Sequence, residues 1–230
     1  MSTPIDVGEF DLAPQEAVAR QRALRDRVVL QTPPGFAPRL VAGLDLSMDR
    51  GSPIGFAGMV VIEQPTMRTI DEVSLAGRLT FPYVSGLLSF RELPLLADVW
   101  ARRGATPDVL IFDGQGIAHP RRFGVACHGG LLFDRPSIGC AKSILVGEHA
   151  PLPPDRGARA PLVHRGETVG VAIRLRAHVA PVYVSPGHLI DLETAVAIVE
   201  SVSAGFREPE TTRRAHQLVN AARRAHTGGA

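Results

Sequence analysis

The sequence predicts a single α/β domain with a mixed sheet. Three observations carry this: three strand-like segments in succession joined by short connections, a short apolar run bracketed by Pro107 and Gly114, and segments of helical period on both sides of that run. At 230 residues, 45% hydrophobic and 21% charged, the chain can bury one sizeable core or two small ones. No repeat or low-complexity tract divides it, and a cut in the Pro/Gly/Arg-rich stretch Pro151–Arg159, read as a surface excursion, would leave strands unpaired on both sides. One domain over residues 1–230 is expected, with a core at about 13–224 and short mobile termini.

The elements follow in order. Ala13–Leu30 carries Ala17, Ala19, Leu24 and Val28 among arginines and reads as an amphipathic helix, stopped by Pro33, Pro34, Gly35 and Pro38. Leu40–Leu46, Gly55–Ile62 and Ile70–Leu79 read as an antiparallel meander. Leu93, Leu96, Ala97 and Trp100 then recur at helical spacing up to Gly104. Val109–Phe112 is continuously apolar, as a strand buried on both faces must be, and marks the sheet centre. Further strands are expected at Ser137–Val146, Thr168–Leu175 and Val182–Val184, and helices at Asp191–Ser203 and Pro209–Arg224.

Composition narrows the function classes. A formal charge of +2 and a pI near 8.8 exclude bulk basicity, so a nucleic-acid site must be a local patch. Two cysteines, Cys127 and Cys140, are too few for a disulfide framework and read as packing residues of a reducing compartment. The start, Met1–Phe10, lacks a basic stretch ahead of an apolar one, and no apolar run reaches the roughly 18 residues of a membrane helix. A cytoplasmic protein without a membrane partner is expected. No strand is followed by a full glycine fingerprint, which argues against a dinucleotide-dependent oxidoreductase.

Chemistry concentrates in carboxylates at strand ends. Asp45 lies in Gly43-Leu-Asp-Leu-Ser47, and Asp113 closes the run Val109–Phe112 ahead of Gly114-Gln-Gly116. Such an Asp either caps a turn or binds a ligand at the sheet edge. Two on neighbouring strands favour the ligand, because paired carboxylates repel unless a cation holds them. Oxygen ligands at an open edge suit Mg²⁺, or Mn²⁺ in its place, and with these phosphodiester hydrolysis. Glu92 is the third candidate, although Ser89-Phe-Arg-Glu92 also has capping-box spacing.

The motifs Gly43-Leu-Asp-Leu-Ser47, Pro82-Tyr83, Gly86-Leu-Leu-Ser-Phe-Arg-Glu92, Phe112-Asp-Gly-Gln-Gly116 with Ala118-His-Pro120, Gly139-Cys-Ala-Lys-Ser143 and Val184-Ser-Pro-Gly-His188, in this order, resemble the endonuclease V family over about Val41–His216. The resemblance implies a ribonuclease H-like fold whose mixed sheet carries the acidic residues at its centre. It implies Asp45 and Asp113 as metal ligands and Glu92 as catalytic glutamate in contact with the metal, with Lys142 near the phosphate and His216 at the active site. Pro82, Tyr83, Val84 and Ser85 match the family's strand-separating wedge, with Ser85 where a second proline is common. Main-chain groups around Gly86, Leu88, Gly114, His119 and Val125 are implied as the pocket for a flipped hypoxanthine.

The implied activity is recognition of deaminated bases, chiefly hypoxanthine, and hydrolysis of the second phosphodiester bond on the 3′ side, leaving 3′-hydroxyl and 5′-phosphate ends without removing the base. DNA with deaminated bases is the expected partner, inosine-containing RNA a further one, and a monomer the expected state. From the residues alone, Lys142 also fits a solvated strand-end cation and His216 a half-buried helix residue. Arg213, Arg214, Arg223 and Arg224 fit either phosphate contacts or a solvated helix face, and His188 has no assigned role. The rivals are a non-catalytic reader of inosine-containing nucleic acid, from which the presence of both aspartates argues away, and another ribonuclease H-like nuclease, which would lack the wedge and pocket motifs.

Overall fold

The computed structural model describes residues 6–227. The readings of the chain start and of mobile termini fall in part on residues 1–5 and 228–230, outside the described residues. In chain order the elements are α1 (Pro14–Arg25), β1 (Leu40–Met48), β2 (Ile54–Glu63), β3 (Arg68–Arg78), α2 (Leu88–Ala101), β4 (Val109–Phe112), α3 (Val125–Phe133), β5 (Ser137–Ala141), β6 (Arg159–His164), β7 (Glu167–Ile173), β8 (Val182–His188), α4 (Leu192–Ser201) and α5 (Glu210–Thr227).

The strands form one mixed sheet of eight, ordered β3-β2-β1-β4-β5-β8-β7-β6. The predicted meander is present, β1 pairing antiparallel with β2 and β2 with β3. From there β4 lies parallel to β1 and β5 parallel to β4, whereas β8 and β7 return antiparallel. All residues of β4 are buried, as its unbroken apolar run requires.

Pleat alternation splits β1 between two cores. Ala42 and Leu44 join Leu93, Leu96 and Val99 of α2 with Val125 and Ala126 of α3 on one face, and Val41 joins Ala195 and Val199 of α4 with Ala215 of α5 on the other. Helices therefore cover both faces, the ribonuclease H-like arrangement expected. Helix α1 packs across the rim, Ala17 against Phe81, Leu87 and Phe90, and Leu24 against Phe123 and Cys127.

Several boundaries differ from expectation, each for a local reason. Helix α1 stops at Arg25 rather than Leu30, because the N–H groups of Arg27 and Val28 bond the carbonyls of Leu24 and Arg25, three residues back. Its inward face holds Gln21 instead of Ala19, which is exposed. Strand β5 ends at Ala141 rather than Val146, since its ladder with β8 finishes at Ala141↔Tyr183. Strand β8 instead continues to His188, and Pro186 is tolerated because the β7 ladder has already ended at Val171↔Val184.

Helix α3 and strand β6 were not expected. Gly129 and Gly130 lower helix propensity in α3, yet a Cβ on Gly129 would lie 2.3 Å from the Phe112 ring and one on Gly130 2.2 Å from Ser137 Oγ, so close packing on the sheet requires both. Strand β6 is an edge strand with only Ala160 and Leu162 buried, and Pro161 inside it obscures the pattern. The other boundaries moved by a few residues. Among the described residues no helix is long and apolar enough to cross a membrane.

Candidate active site

The three parallel strands β1, β4 and β5 deliver their C-terminal ends to one edge of the sheet. The β1–β4 register runs from Val41↔Val109 to Leu44↔Phe112, so the next residues, Asp45 and Asp113, emerge side by side. The Asp113 N–H donates to the Leu44 carbonyl at 3.2 Å and continues the ladder one step. Lys142 follows directly on β5, its ammonium 2.5 Å from Asp113 Oδ2 and 3.0 Å from Glu208 Oε2.

Helix α5 closes the site from the face that holds the odd-numbered residues of β1. Gly43 makes this possible: a Cβ there would lie 2.2 Å from the Thr211 backbone, so only glycine lets the first turn of α5 touch the strand. Farther along both elements, Asp45 Oδ2 meets His216 Nδ1 at 2.8 Å and the Ser47 hydroxyl meets Asn220 Oδ1 at 2.9 Å. Because Ser47 donates to the Asn220 oxygen, the Asn220 NH₂ faces His216 Nε2, at 2.9 Å. His216 Nδ1 is then the donor to Asp45, and the ring orients that carboxylate.

Charge is crowded here. Asp45 is buried, and burial followed by the Asp113 carboxylate pushes its pKa up to about 6 against the pull of His216 and Lys142. Burial, then Asp45 and Asp113, hold the Glu92 carboxyl well above the ordinary range. For Lys142, partial burial lowers the pKa, but Asp113 and Glu208 outweigh it and hold the ammonium above its usual value. Asp45, Asp113 and His216 each offer a ligand atom, all within 4.8 Å of one another, and can hold a metal ion. Glu92 lies outside this group. Its capping box does not form either: the N-cap of α2 is Leu87, and Ser89 is buried inside the helix with its hydroxyl 3.0 Å from His128 Nδ1.

Next to Asp113 and Lys142 opens a cavity of about 250 Å³. Gly86, Leu88, Gly114, His119 and Val125 all line it, as do Tyr83, Val84 and Ser85. Tyr83 is 74% exposed at its rim. Two helices begin at this cavity, α2 at Leu88 and α3 at Val125, and neither N-cap, Leu87 nor Gly124, has a side chain that accepts a first-turn N–H. In the first turns the Phe90 N–H donates to the Leu87 carbonyl at 3.1 Å and the Ala126 N–H to the Gln115 carbonyl at 3.1 Å, which leaves the N–H groups of Leu88, Ser89 and Val125, without a partner inside their helices, as donors to whatever fills the space. The His119 ring lines the wall with both nitrogens engaged: Nε2 donates to the Gly86 carbonyl at 2.9 Å and Nδ1 accepts from the Arg121 N–H at 3.2 Å. Its pKa falls to about 4, mainly through burial.

Other candidates serve the fold. Arg213 and Arg214 both bind Glu210, which is buried, and Arg214 also donates to the Met67 carbonyl. His188 accepts the Val29 N–H at 3.2 Å, which ties the segment after α1 to β8. Cys127 and Cys140 are buried, with burial raising both thiols, that of Cys127 to about 12. The sequence reading missed Asn220, Glu208 and Gln21. Only Asn220 carries a signal, its position one helical turn after His216.

One carboxylate inside β1 just past its last pair with β4, a second closing β4, a lysine following β5 and a donor-lined cavity beside them define a nuclease-type site on an α/β sheet. Comparison with known proteins narrows the class. The family described as Endonuclease V matches residues 22–217. An Endonuclease V of Myxococcus xanthus is 57% identical over 225 residues, 98% of this chain and 96% of the relative. The chain belongs to the endonuclease V family and is a phosphodiester hydrolase. The crystal structure of the Streptomyces avermitilis Endonuclease V superposes with a TM-score of 0.88 at 38% identity, covering 97% of this chain and 98% of that one. That of Ciona intestinalis Endonuclease V, in complex with a 24mer DNA containing an inosine followed by a ribo-adenosine, has a TM-score of 0.78 at 26% identity, with 92% and 98% covered.

Proposed function

We propose that the protein is a Mg²⁺-dependent endonuclease of DNA repair that recognises deaminated bases, chiefly hypoxanthine, and hydrolyses the second phosphodiester bond 3′ to the lesion, leaving 3′-hydroxyl and 5′-phosphate ends. The observation that carries this reading is the adjacency of two unlike sites, the Asp45–Asp113 pair and the cavity at the starts of α2 and α3. The inosine-containing DNA bound by the Ciona intestinalis relative supports the same substrate here.

The residues fit a hard divalent cation. Burial and then the Asp113 carboxylate push the Asp45 pKa to about 6, so the pair gains from a positive charge between its members, and its oxygen donors suit Mg²⁺ or Mn²⁺. The bound ion supplies polarisation of the scissile phosphate and orientation of an attacking water. Asp45 and Asp113 would hold it, and His216 fixes the Asp45 carboxylate. Glu92 faces the same charges from α2 and would supply the third carboxylate toward the ion, as the catalytic glutamate. Lys142, clamped by two carboxylates, presents a fixed positive charge to the phosphate.

The flipped base enters the cavity, where helix N–H donors meet its oxo group. Tyr83 stands at the rim as the wedge that fills the gap in the duplex, with Pro82, Val84 and Ser85 forming its loop. Ser85 leaves that loop less rigid than a second proline would. The whole chain acts as one domain, as a monomer in the cytoplasm, where the unpaired Cys127 and Cys140 suit a reducing medium. Inosine-containing RNA is a second substrate class.

The test is incubation of the purified protein with otherwise identical oligonucleotides carrying hypoxanthine, uracil, an abasic site or adenine, with Mg²⁺ or chelator, and analysis of the product ends. A Mg²⁺-dependent cut at the second 3′ bond, strongest for hypoxanthine, is expected. A cut elsewhere, base release, or binding without cleavage would overturn the reading, the last in favour of a non-catalytic reader.

A further inference from the structure

Gln21 is 1% exposed on α1, lies outside the segment that matches the family, and contributes to the cavity wall. Both hydrogens of its amide nitrogen are used, one on the Gly86 carbonyl at 3.0 Å and one on the Phe123 carbonyl at 3.1 Å. These acceptors occupy matching places: Gly86 immediately precedes Leu87, the N-cap of α2, and Phe123 immediately precedes Gly124, the N-cap of α3. One side-chain nitrogen thus joins the two helix starts that wall the cavity. The amide oxygen accepts from Arg121 Nε at 2.5 Å, which fixes the amide orientation.

The Gly86 carbonyl is held from three sides. Besides Gln21 it accepts from His119 Nε2 at 2.9 Å and Arg121 Nη2 at 2.6 Å. Gly86 has φ +77° and no side chain, so without these donors its peptide could turn readily. A free carbonyl in this wall would be an acceptor among donors. That distinction matters for the base, since hypoxanthine offers an oxygen at position 6 where adenine offers an amino donor.

We infer that Gln21 is a positioning residue for base selection: it locks together the starts of α2 and α3 and keeps the Gly86 carbonyl from accepting an exocyclic amino group, so that the cavity takes a 6-oxo purine and refuses a 6-amino one. The inference rests on the cavity being the base pocket proposed above. It assigns discrimination to a residue that need not touch the base, through the acceptor that it helps His119 and Arg121 keep out of the pocket.

The experiment measures dissociation constants of the full-length protein, in chelator, for two single-stranded oligonucleotides that differ only in hypoxanthine or adenine at one position. Wild type, Gln21→Met and Gln21→Glu are compared, with melting midpoints alongside. Gln21→Glu keeps an acceptor for Arg121 and loses both donors, so both variants should lower the preference for hypoxanthine about fivefold or more, largely through better binding of adenine. An unchanged preference in a folded variant, equal weakening on both oligonucleotides, or wild-type preference in Gln21→Glu would overturn the inference. If either buried change prevents folding, Arg121→Met removes a donor from the same carbonyl at a half-buried position and gives the same readout. No preference in the wild type would instead refute the base-pocket reading itself.

Discussion

The carboxylate edge and the adjoining cavity lie side by side but are built from different material. The edge is made of side chains: Asp45, Asp113, Lys142 and His216, each delivered by the end of a strand or the face of a helix. The cavity draws its donors from main chain, at the starts of α2 and α3, and turns at Gly86 with its positive φ, while side chains such as His119, Tyr83 and Gln21, and Asp113 and Lys142 shared with the edge, complete its wall. A site of side chains should fail when one functional group is removed. A site of main chain should tolerate most side-chain changes on its wall but respond to anything that turns or shifts the backbone.

The largest effect should fall on the edge. Asp45→Ala and Asp113→Ala are each expected to lower Mg²⁺-dependent cleavage by on the order of 10³-fold, since each removes a proposed ligand, while single-strand binding in chelator persists. Single-turnover rates at saturating Mg²⁺ provide the check, and a near-normal rate in either variant removes the metal site from the account.

On the cavity side the corresponding change is to the backbone. Gly86→Ala places a Cβ 2.8 Å from Arg121 Nη2 at a left-handed φ, a conformation costing roughly 1–2 kcal/mol for other residues. A loss of about tenfold in hypoxanthine affinity is expected from that strain, with the chemical step for bound substrate little changed. Equal loss of the rate at saturation would show that cavity and edge are not separable.

Smaller again is the effect at the rim. Tyr83→Ala should reduce cleavage of inosine in duplex DNA several-fold more than in single strands, because stacking of about 1–3 kcal/mol is needed only where strands must part. Identical losses on both substrates would leave Tyr83 a general stacking residue and not a wedge.

The smallest expected effect is on stability. The Asp45 pKa is raised from 3.8 to about 6, so in chelator the folded state keeps this proton over a pH range where the unfolded chain has lost it. The stabilising contribution is complete below the unfolded value and lost as pH rises through about 6. The wild-type melting midpoint should therefore gain on that of Asp45→Asn as pH is lowered from 7 to 5, and Mg²⁺ at pH 7 should recover the deficit. A difference independent of pH would place Asp45 in an ordinary solvated setting.

The same contrast explains what could be read in the sequence. The two aspartates stand out because each breaks an apolar run, but only Asp113 closes its strand; Asp45, expected at a strand end, lies inside β1, which continues to Met48 against β2, and β4 showed itself as the sheet centre by having no polar residue at all. The cavity was legible only through the family resemblance, since no composition marks a main-chain donor. Ser89 and Glu92 had capping-box spacing, but burial of Ser89 against His128 took the serine into the helix. Helix α3 was hidden by two glycines whose purpose is contact with Phe112 and Ser137, and Gln21 by its polarity on an inward face. In most of these cases the deciding partner lies far away in sequence, as with Ser89 and His128 or Gln21 and Phe123.

The central claim is that the carboxylate edge performs the chemistry and the cavity chooses the base. Asp113→Asn tests it most directly, because the amide keeps the shape of the carboxylate and removes its charge. Binding of hypoxanthine- and adenine-containing oligonucleotides in chelator and cleavage of the same oligonucleotides in Mg²⁺ would be measured on one preparation. The account predicts wild-type preference for hypoxanthine with cleavage lost; retained cleavage, or a base preference that disappears together with it, would contradict the division of labour.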